Sequence, residues 1–229
     1  MKNSFILILI FLLSNCSSTP NIAGSNYIWT NYKSTFRSIE VNNLKINQVI
    51  VEDLECNNKE RHVIELDGII NYDTSLIVEK ILSEINSKYR CFYKSTPIVT
   101  VVTLNSKGGL LADGYRMGEI FKKYGVHATI TNNQVCMSSC SMAFIGAKFR
   151  RMNGNAKLMV HSPYRHTGYR TIECIKNDQA NKLKKYYISM LGENTGSTLY
   201  DRTMKYCTAS DGWTINKDAA DLFGITTSQ

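Results

Sequence analysis

The chain has 229 residues, a formal net charge of +8, 43% hydrophobic residues and seven cysteines. Such a length supports one domain with a full core. The basic residues are scattered as pairs such as Lys122-Lys123, Arg150-Arg151 and Lys184-Lys185. No basic and aromatic residues interleave among them, so no nucleic-acid partner is expected.

Met1-Lys2-Asn3-Ser4 followed by the apolar run Phe5 to Leu13 reads as a cleaved export signal, too short to span a bilayer. Leu13-Ser14-Asn15-Cys16 resembles a bacterial lipobox, which would make Cys16 a lipidated N-terminus and place the protein in the periplasm, tied to a membrane. Residues 17–25 suit a flexible tether, and residues 26–229 are expected to form a single domain. Leu44 to Val51 alternates apolar and polar residues, as an edge strand does.

From residue 62 strands alternate with helices. His62 to Leu66 predicts a strand ending in an Asp67-Gly68 turn, and Ser75 to Ser87 an amphipathic helix. Ile98 to Leu104 is a β-branched run expected to be buried on both faces. A helix over 109–124, a strand over 126–130, a helix over 138–147 and a strand over 156–161 follow. Helices over 175–191 and 218–223 close the chain. Repeated β-α units with crossover helices imply an α/β fold with a largely parallel sheet.

If Cys16 carries lipid, six cysteines remain: Cys56, Cys91, Cys136, Cys140, Cys174 and Cys207. An even number in an oxidising compartment suggests disulfides, although the pairing stays open. Cys136 and Cys140 lack a second Cys/His pair at finger-like spacing, so no metal is expected. Gly108-Gly109 has no Gly-Lys-[Ser/Thr] or Gly-x-Gly-x-x-Gly around it, so no nucleotide or other cofactor is expected either.

Three segments carry chemistry. Asn105-Ser106-Lys107-Gly108-Gly109 follows the predicted buried strand. Cys136-Met137-Ser138-Ser139-Cys140 enters a predicted helix, and Met159-Val160-His161-Ser162-Pro163 ends a strand. A nucleophilic serine needs a base, donors for the developing oxyanion and a turn that exposes its hydroxyl. These segments contain the residue types for all three.

Their order resembles the proteolytic subunit of Clp proteases, within the ClpP/crotonase-like fold of repeated β-β-α units, from about Val63 to Thr226. The Asn-Ser-x-Gly-Gly segment matches with Lys107 in place of proline. Met159 to Pro163 is similar to the family's Met-Ile-His-x-Pro. Lys185 to Leu199, with Thr195-Gly196, resembles its following helix and Thr-Gly turn. The Cys-x-Ser-x-Cys pattern is closest to a divergent exported group.

The resemblance implies Ser138 as nucleophile, with Ser139 the rival, and His161 as base. It implies the N–H groups of Gly109 and Ser139 as the oxyanion hole and Asp211 as the residue orienting His161. Asp201 or a dyad without acid are the alternatives to Asp211, and a Ser–Lys dyad through Lys157 is the weaker arrangement. His166 alone among the other histidines merits testing. By the same resemblance the substrate is a peptide or unfolded protein and the assembly a homo-oligomer. The rival reading is a catalytically inactive lipoprotein that keeps the fold to bind or assemble envelope partners. An acyl-CoA enzyme of crotonase type is disfavoured by export.

Overall fold

The computed structural model describes residues 35–52, 60–88, 92–93, 96–97, 100–168 and 171–227. The expected signal, the tether, Cys16, Cys56, Cys91 and the strand start Ile98-Val99 lie outside the described residues. In chain order the elements are β1 (Thr35–Val41), β2 (Leu44–Glu52), β3 (Glu60–Ile70), α1 (Thr74–Lys88), β4 (Phe92–Tyr93) and β5 (Thr96–Pro97). Then come β6 (Val101–Gly109), α2 (Leu111–Tyr124), β7 (His127–Ile130), β8 (Val135–Met137) and α3 (Ser139–Gly146). They are followed by β9 (Phe149–Met152), β10 (Lys157–Val160), β11 (Tyr164–His166) and β12 (Ile172–Cys174). The last are α4 (Asp178–Leu191), α5 (Glu193–Thr203), β13 (Trp213–Ile215) and α6 (Lys217–Leu222). No helix among the described residues is long and apolar enough to cross a membrane.

The main sheet runs β1-β2-β3-β6-β8-β10-β13, with β7 and β9 branching from β6. Its centre is parallel, as crossover helices require, and β1–β2, β2–β3 and β10–β13 are antiparallel. β6 is the pivot. Its first half, Val101 to Thr103, pairs with β7, whereas Ser106 pairs with Cys136 of β8. The strand thus leaves one neighbour for another as it approaches the Gly-Gly segment.

That segment is itself paired as strand. β3 continues through a bulge at Gly68, and Ile69 and Ile70 pair with Gly108 and Gly109. The strand therefore persists to Gly109 and hands over directly to α2. β8 was also unexpected, because three residues are too few for a periodicity to show. Thr195-Gly196 forms no turn; both residues lie inside α5. A side chain at Gly196 would meet the Ile188 backbone at 2.6 Å, so glycine there lets α5 pack on α4.

The core lies between the sheet and its helices. Phe121, Phe144, Tyr187, Leu104, Ile64 and Ile145 are among its fully buried side chains, each contributing about 1.5–3 kcal/mol on burial. α3 is apolar on all sides and every residue in it is buried. It lies against α2 where Gly146 meets the Gly118 backbone, a contact no Cβ would permit. The start of α3, where the chemistry-bearing residues stand, is packed as closely, with Gly114 of α2 against Ser139.

Candidate active site

Ser138 stands between β8 and α3 with φ 54° and ψ −122°, a region that non-glycine residues occupy only when their surroundings enforce it. Several contacts do so here. Its N–H donates to the Met159 carbonyl of β10 at 2.9 Å, and its own carbonyl accepts from the Ser141 N–H at 2.9 Å. The Ser141 hydroxyl donates to the same carbonyl. A Cys136–Cys140 disulfide closes around it, joining the strand to the first turn of the helix. Both cysteines are fully buried. The sharp strand-to-helix turn leaves Ser138 half-buried, with a hydroxyl that makes no hydrogen bond among the described residues.

Ser139 is placed quite differently. It is fully buried, its hydroxyl has no partner, and its Cα lies 2.9 Å from where a Cβ on Gly114 of α2 would sit. Its hydroxyl is enclosed between two helices, whereas its N–H, at the first helical position, has no acceptor within the helix. The dipole of α3 adds positive potential at the same place.

Gly108 and Gly109 adopt φ 96° and 151°. A Cβ on Gly108 would lie 2.8 Å from Ser138 Cβ and 2.6 Å from the Met137 carbonyl. Only glycine lets the β6 end approach the elbow this closely. Sequence reasoning had passed over Gly108 in favour of its neighbour. The Leu110 N–H donates to Ile70 O of β3 at 2.7 Å. Successive N–H groups in a strand point to opposite neighbours, which turns the Gly109 N–H away from β3, toward the β8 side.

His161 follows the end of β10, and Ser138 follows the end of β8; the two strands are parallel partners, with Met137 opposite Met159. Both residues therefore emerge at the carboxyl edge of neighbouring strands. His161 Nδ1 lies 2.8 Å from the Ser162 carbonyl. A carbonyl can only accept, so Nδ1 carries the proton and Nε2 keeps its lone pair. Nε2 is buried without a hydrogen-bond partner. Burial lowers the His161 pKa, with the Ser162 bond acting the other way, so the ring is neutral near pH 7. Tyr164 packs its ring on His161 at 5.4 Å and on His166 at 5.6 Å. No sequence signal pointed to Tyr164 beyond its place three residues after the histidine.

Asp211 is not brought to His161. It is exposed in the loop before β13, where its carboxylate accepts from the Thr208 hydroxyl at 3.1 Å. The Nδ1 position of the His161 ring is taken instead by the Ser162 carbonyl. Asp201 is exposed on α5. Lys157 begins β10 at the end away from His161, exposed and opposite Val135. His166 is exposed on β11.

The loop that carries His161 is clasped from elsewhere in the chain. The Ser162 N–H donates to Tyr206 O at 2.7 Å and the Ile175 N–H to Pro163 O at 2.8 Å. A second disulfide, Cys174–Cys207, joins those two partner segments. No group of three or more His, Cys, Asp or Glu side chains among the described residues could hold a metal ion.

Solved structures share this architecture. A variant of the membrane-bound stomatin-specific protease 1510-N superposes with a TM-score of 0.51 at 14% identity, over 71% of this chain and 75% of that one. A second variant of that protease, in complex with a substrate peptide, gives 0.52 at 13% identity over 71% of each chain. A ClpP1 variant from Listeria monocytogenes gives 0.51 at 16% identity, over 72% of this chain and 88% of that one. No curated protein sequence matches the chain. The Clp protease family pattern matches residues 57–226, from β3 through the last strand and helix, and on that extent the chain belongs to the Clp protease family.

Proposed function

We propose that this chain is an exported serine peptidase that hydrolyses peptide bonds through an acyl-enzyme intermediate. The observation that carries the reading is the placement of a positive-φ Ser138 and a neutral His161 at the ends of adjacent parallel strands, the His161 Nε2 lone pair being left without a partner. Ser138 Oγ attacks the scissile carbonyl and His161 Nε2 takes its proton. The N–H groups of Ser139 and Gly109 receive the oxyanion, an interaction for which each donor is worth about 3 kcal/mol. His161 then protonates the leaving amine, and water releases the acyl group by the reverse proton path.

The Ser162 carbonyl takes the orienting role that an aspartate plays in a triad. It fixes the tautomer of His161 without adding a negative charge. Rotation of the free Ser138 hydroxyl toward Nε2 completes the pair on substrate binding, since such bonds commonly tighten only in the complex.

Members of the Clp protease family are oligomeric proteases acting on peptide substrates, and the same is proposed here for a homo-oligomer without a cofactor. Export rests on the N-terminal signal pattern and agrees with the Cys136–Cys140 and Cys174–Cys207 disulfides, which persist in oxidising compartments. Anchoring through a lipid on Cys16 is part of the proposal. Metabolic labelling with palmitate, lost in Cys16→Ser, is its test.

The decisive experiment is reaction with a fluorophosphonate and mapping of the adduct by mass spectrometry. An adduct on Ser138 that disappears in His161→Ala establishes the activated nucleophile. Absence of an adduct on folded, oxidised protein supports the inactive binding lipoprotein instead.

A further inference from the structure

An open cavity of about 480 Å³ lies beyond the other edge of the β6–β7–β9 branch, lined by His127, Phe149, Arg151, Lys217, Asp221 and Thr226 among others. Its charges are unbalanced. Lys217 pairs with Asp221 at 2.7 Å, and the Thr226 hydroxyl donates to the same carboxylate. Arg150, also at the wall, spends its guanidinium on two carbonyls, Ile225 O at 2.6 Å and Ala147 O at 2.7 Å. Arg151 has no carboxylate partner among the described residues, and its Nη1 is buried without a hydrogen bond.

Three cations, Arg150, Arg151 and Lys217, thus line a cavity whose lining includes one carboxylate, Asp221. A buried donor left unpaired costs about 1–3 kcal/mol, more when charged. Arg151 also disfavours the protonation of its neighbours. The His127 pKa is lowered by burial and then by the Arg151 charge. Lys217, held up first by Asp221, feels Arg151 in the opposite sense. An arrangement of like charges around an open space is relieved by an anion in that space.

We propose that this cavity binds a phosphate group, with Arg151 as its main ligand and Lys217 as the second cation. A guanidinium fork matches phosphate oxygens in a way a lone ammonium does not. The cavity is much larger than a bare phosphate needs. Phe149 and Met152 give one wall an apolar character, so the phosphate would be an ester whose organic part lies against that wall. The Phe149 ring already holds the Lys148 ammonium 5.3 Å from its centroid, which adds positive potential at the rim. The phosphate could belong to a soluble ester or to a lipid headgroup; the chemistry is the same, and the experiment separates the sources.

Phenyl phosphate titrated into the full chain, with the His127 imidazole resonances as local readout, tests the site. Saturable shifts are expected, with the dissociation constant raised about tenfold in Arg151→Gln. Lys217→Gln should weaken binding too, because it also releases Asp221 as a repelling charge. Arg151→Lys should recover part of the affinity, and unchanged thermal unfolding of that variant shows that the fold is retained. Sedimentation with phosphatidylglycerol vesicles, compared between the wild-type and Arg151→Gln chains, assigns the source. An Arg151-dependent difference points to a headgroup, and its absence alongside phenyl phosphate binding points to a soluble ester. Failure to bind phenyl phosphate and the vesicles in an Arg151-dependent way overturns the proposal. None of these readouts depends on peptidase activity.

Discussion

The serine flank and the histidine flank of the candidate site are held in place by different means. Ser138 is held mostly from within a dozen residues, by a short strand, an elbow, a buried helix and a disulfide spanning four positions, with the Met159 carbonyl of β10 accepting its N–H. His161 is fixed by three segments far apart in the chain, around Pro163, Ile175 and Tyr206, joined by hydrogen bonds and the Cys174–Cys207 bridge. The orientation of Ser138, the proposed nucleophile, is therefore mainly a local property and that of His161, the proposed base, mainly a tertiary one. Damage to the first should act on the elbow itself, whereas damage to the second should act through loop order.

The largest expected effect is at the elbow. Ser138→Ala should lower peptidase turnover by about 10⁴–10⁶-fold, the scale on which a nucleophile acts, and abolish fluorophosphonate labelling. Ser139→Ala should leave labelling nearly intact, since that hydroxyl is fully enclosed. Labelling that followed Ser139 instead would reverse the comparison of the two serines.

Next come the bridges. The double variant Cys136→Ser, Cys140→Ser should lower stability by about 2 kcal/mol in denaturant unfolding. Its rate of labelling should also fall, because φ 54° at Ser138 then loses the strap across it. Removing Cys174–Cys207 in the same way should slow labelling less. Proteolytic nicking around 171–175 should rise with it, because that bridge orders loops rather than the elbow. If both variants lost labelling equally while remaining folded, the contrast between local and tertiary control would not stand.

The same contrast decides what the sequence showed. The long helices α1 and α2 and the β6 run were legible because periodicity and β-branching act over many residues. The elbow was legible because its residues are contiguous: Cys136, Ser138 and Cys140 lie in one five-residue window. What separates Ser138 from Ser139 was not, because adjacent residues of the same type differ only in which one a positive φ leaves half-buried and which the helices enclose. β8 was hidden by its length, and the persistence of β6 to Gly109 depends on pairing with Ile70 of β3, far back in the chain. The hydrogen-bond partner of His161 Nδ1 could not be read at all. A backbone carbonyl has no sequence signature, so the search for a side chain led to Asp211.

A smaller effect follows from the His161 environment. Its pKa is lowered from the ordinary 6.5 by burial, so the acid limb of kcat/KM should fall below pH 6.5. The unfolded chain then binds a proton that the folded one excludes. Stability should decline as pH falls below 6.5 and level off beneath the folded pKa. His161→Gln should flatten that part of the stability profile only partly, because His127 is lowered by burial as well, and an acid limb at or above 6.5 would contradict a neutral base.

The smallest effect should come from Asp211. In a Ser-His-Asp triad, replacing the acid lowers turnover by about 10⁴-fold because the histidine loses its tautomer. Here Nδ1 already donates to the Ser162 carbonyl at 2.8 Å, and no substitution at position 211 removes a backbone carbonyl. Asp211 instead accepts from Thr208 at the surface, a contact worth at most about 1 kcal/mol. Asp211→Ala should therefore change kcat/KM by less than about threefold, within that energy, and leave the acid limb where it was. A loss of a hundredfold or more, with the limb displaced, would mean that the loop before β13 closes on His161 when substrate binds. The tertiary flank would then supply an acid that only the occupied site assembles.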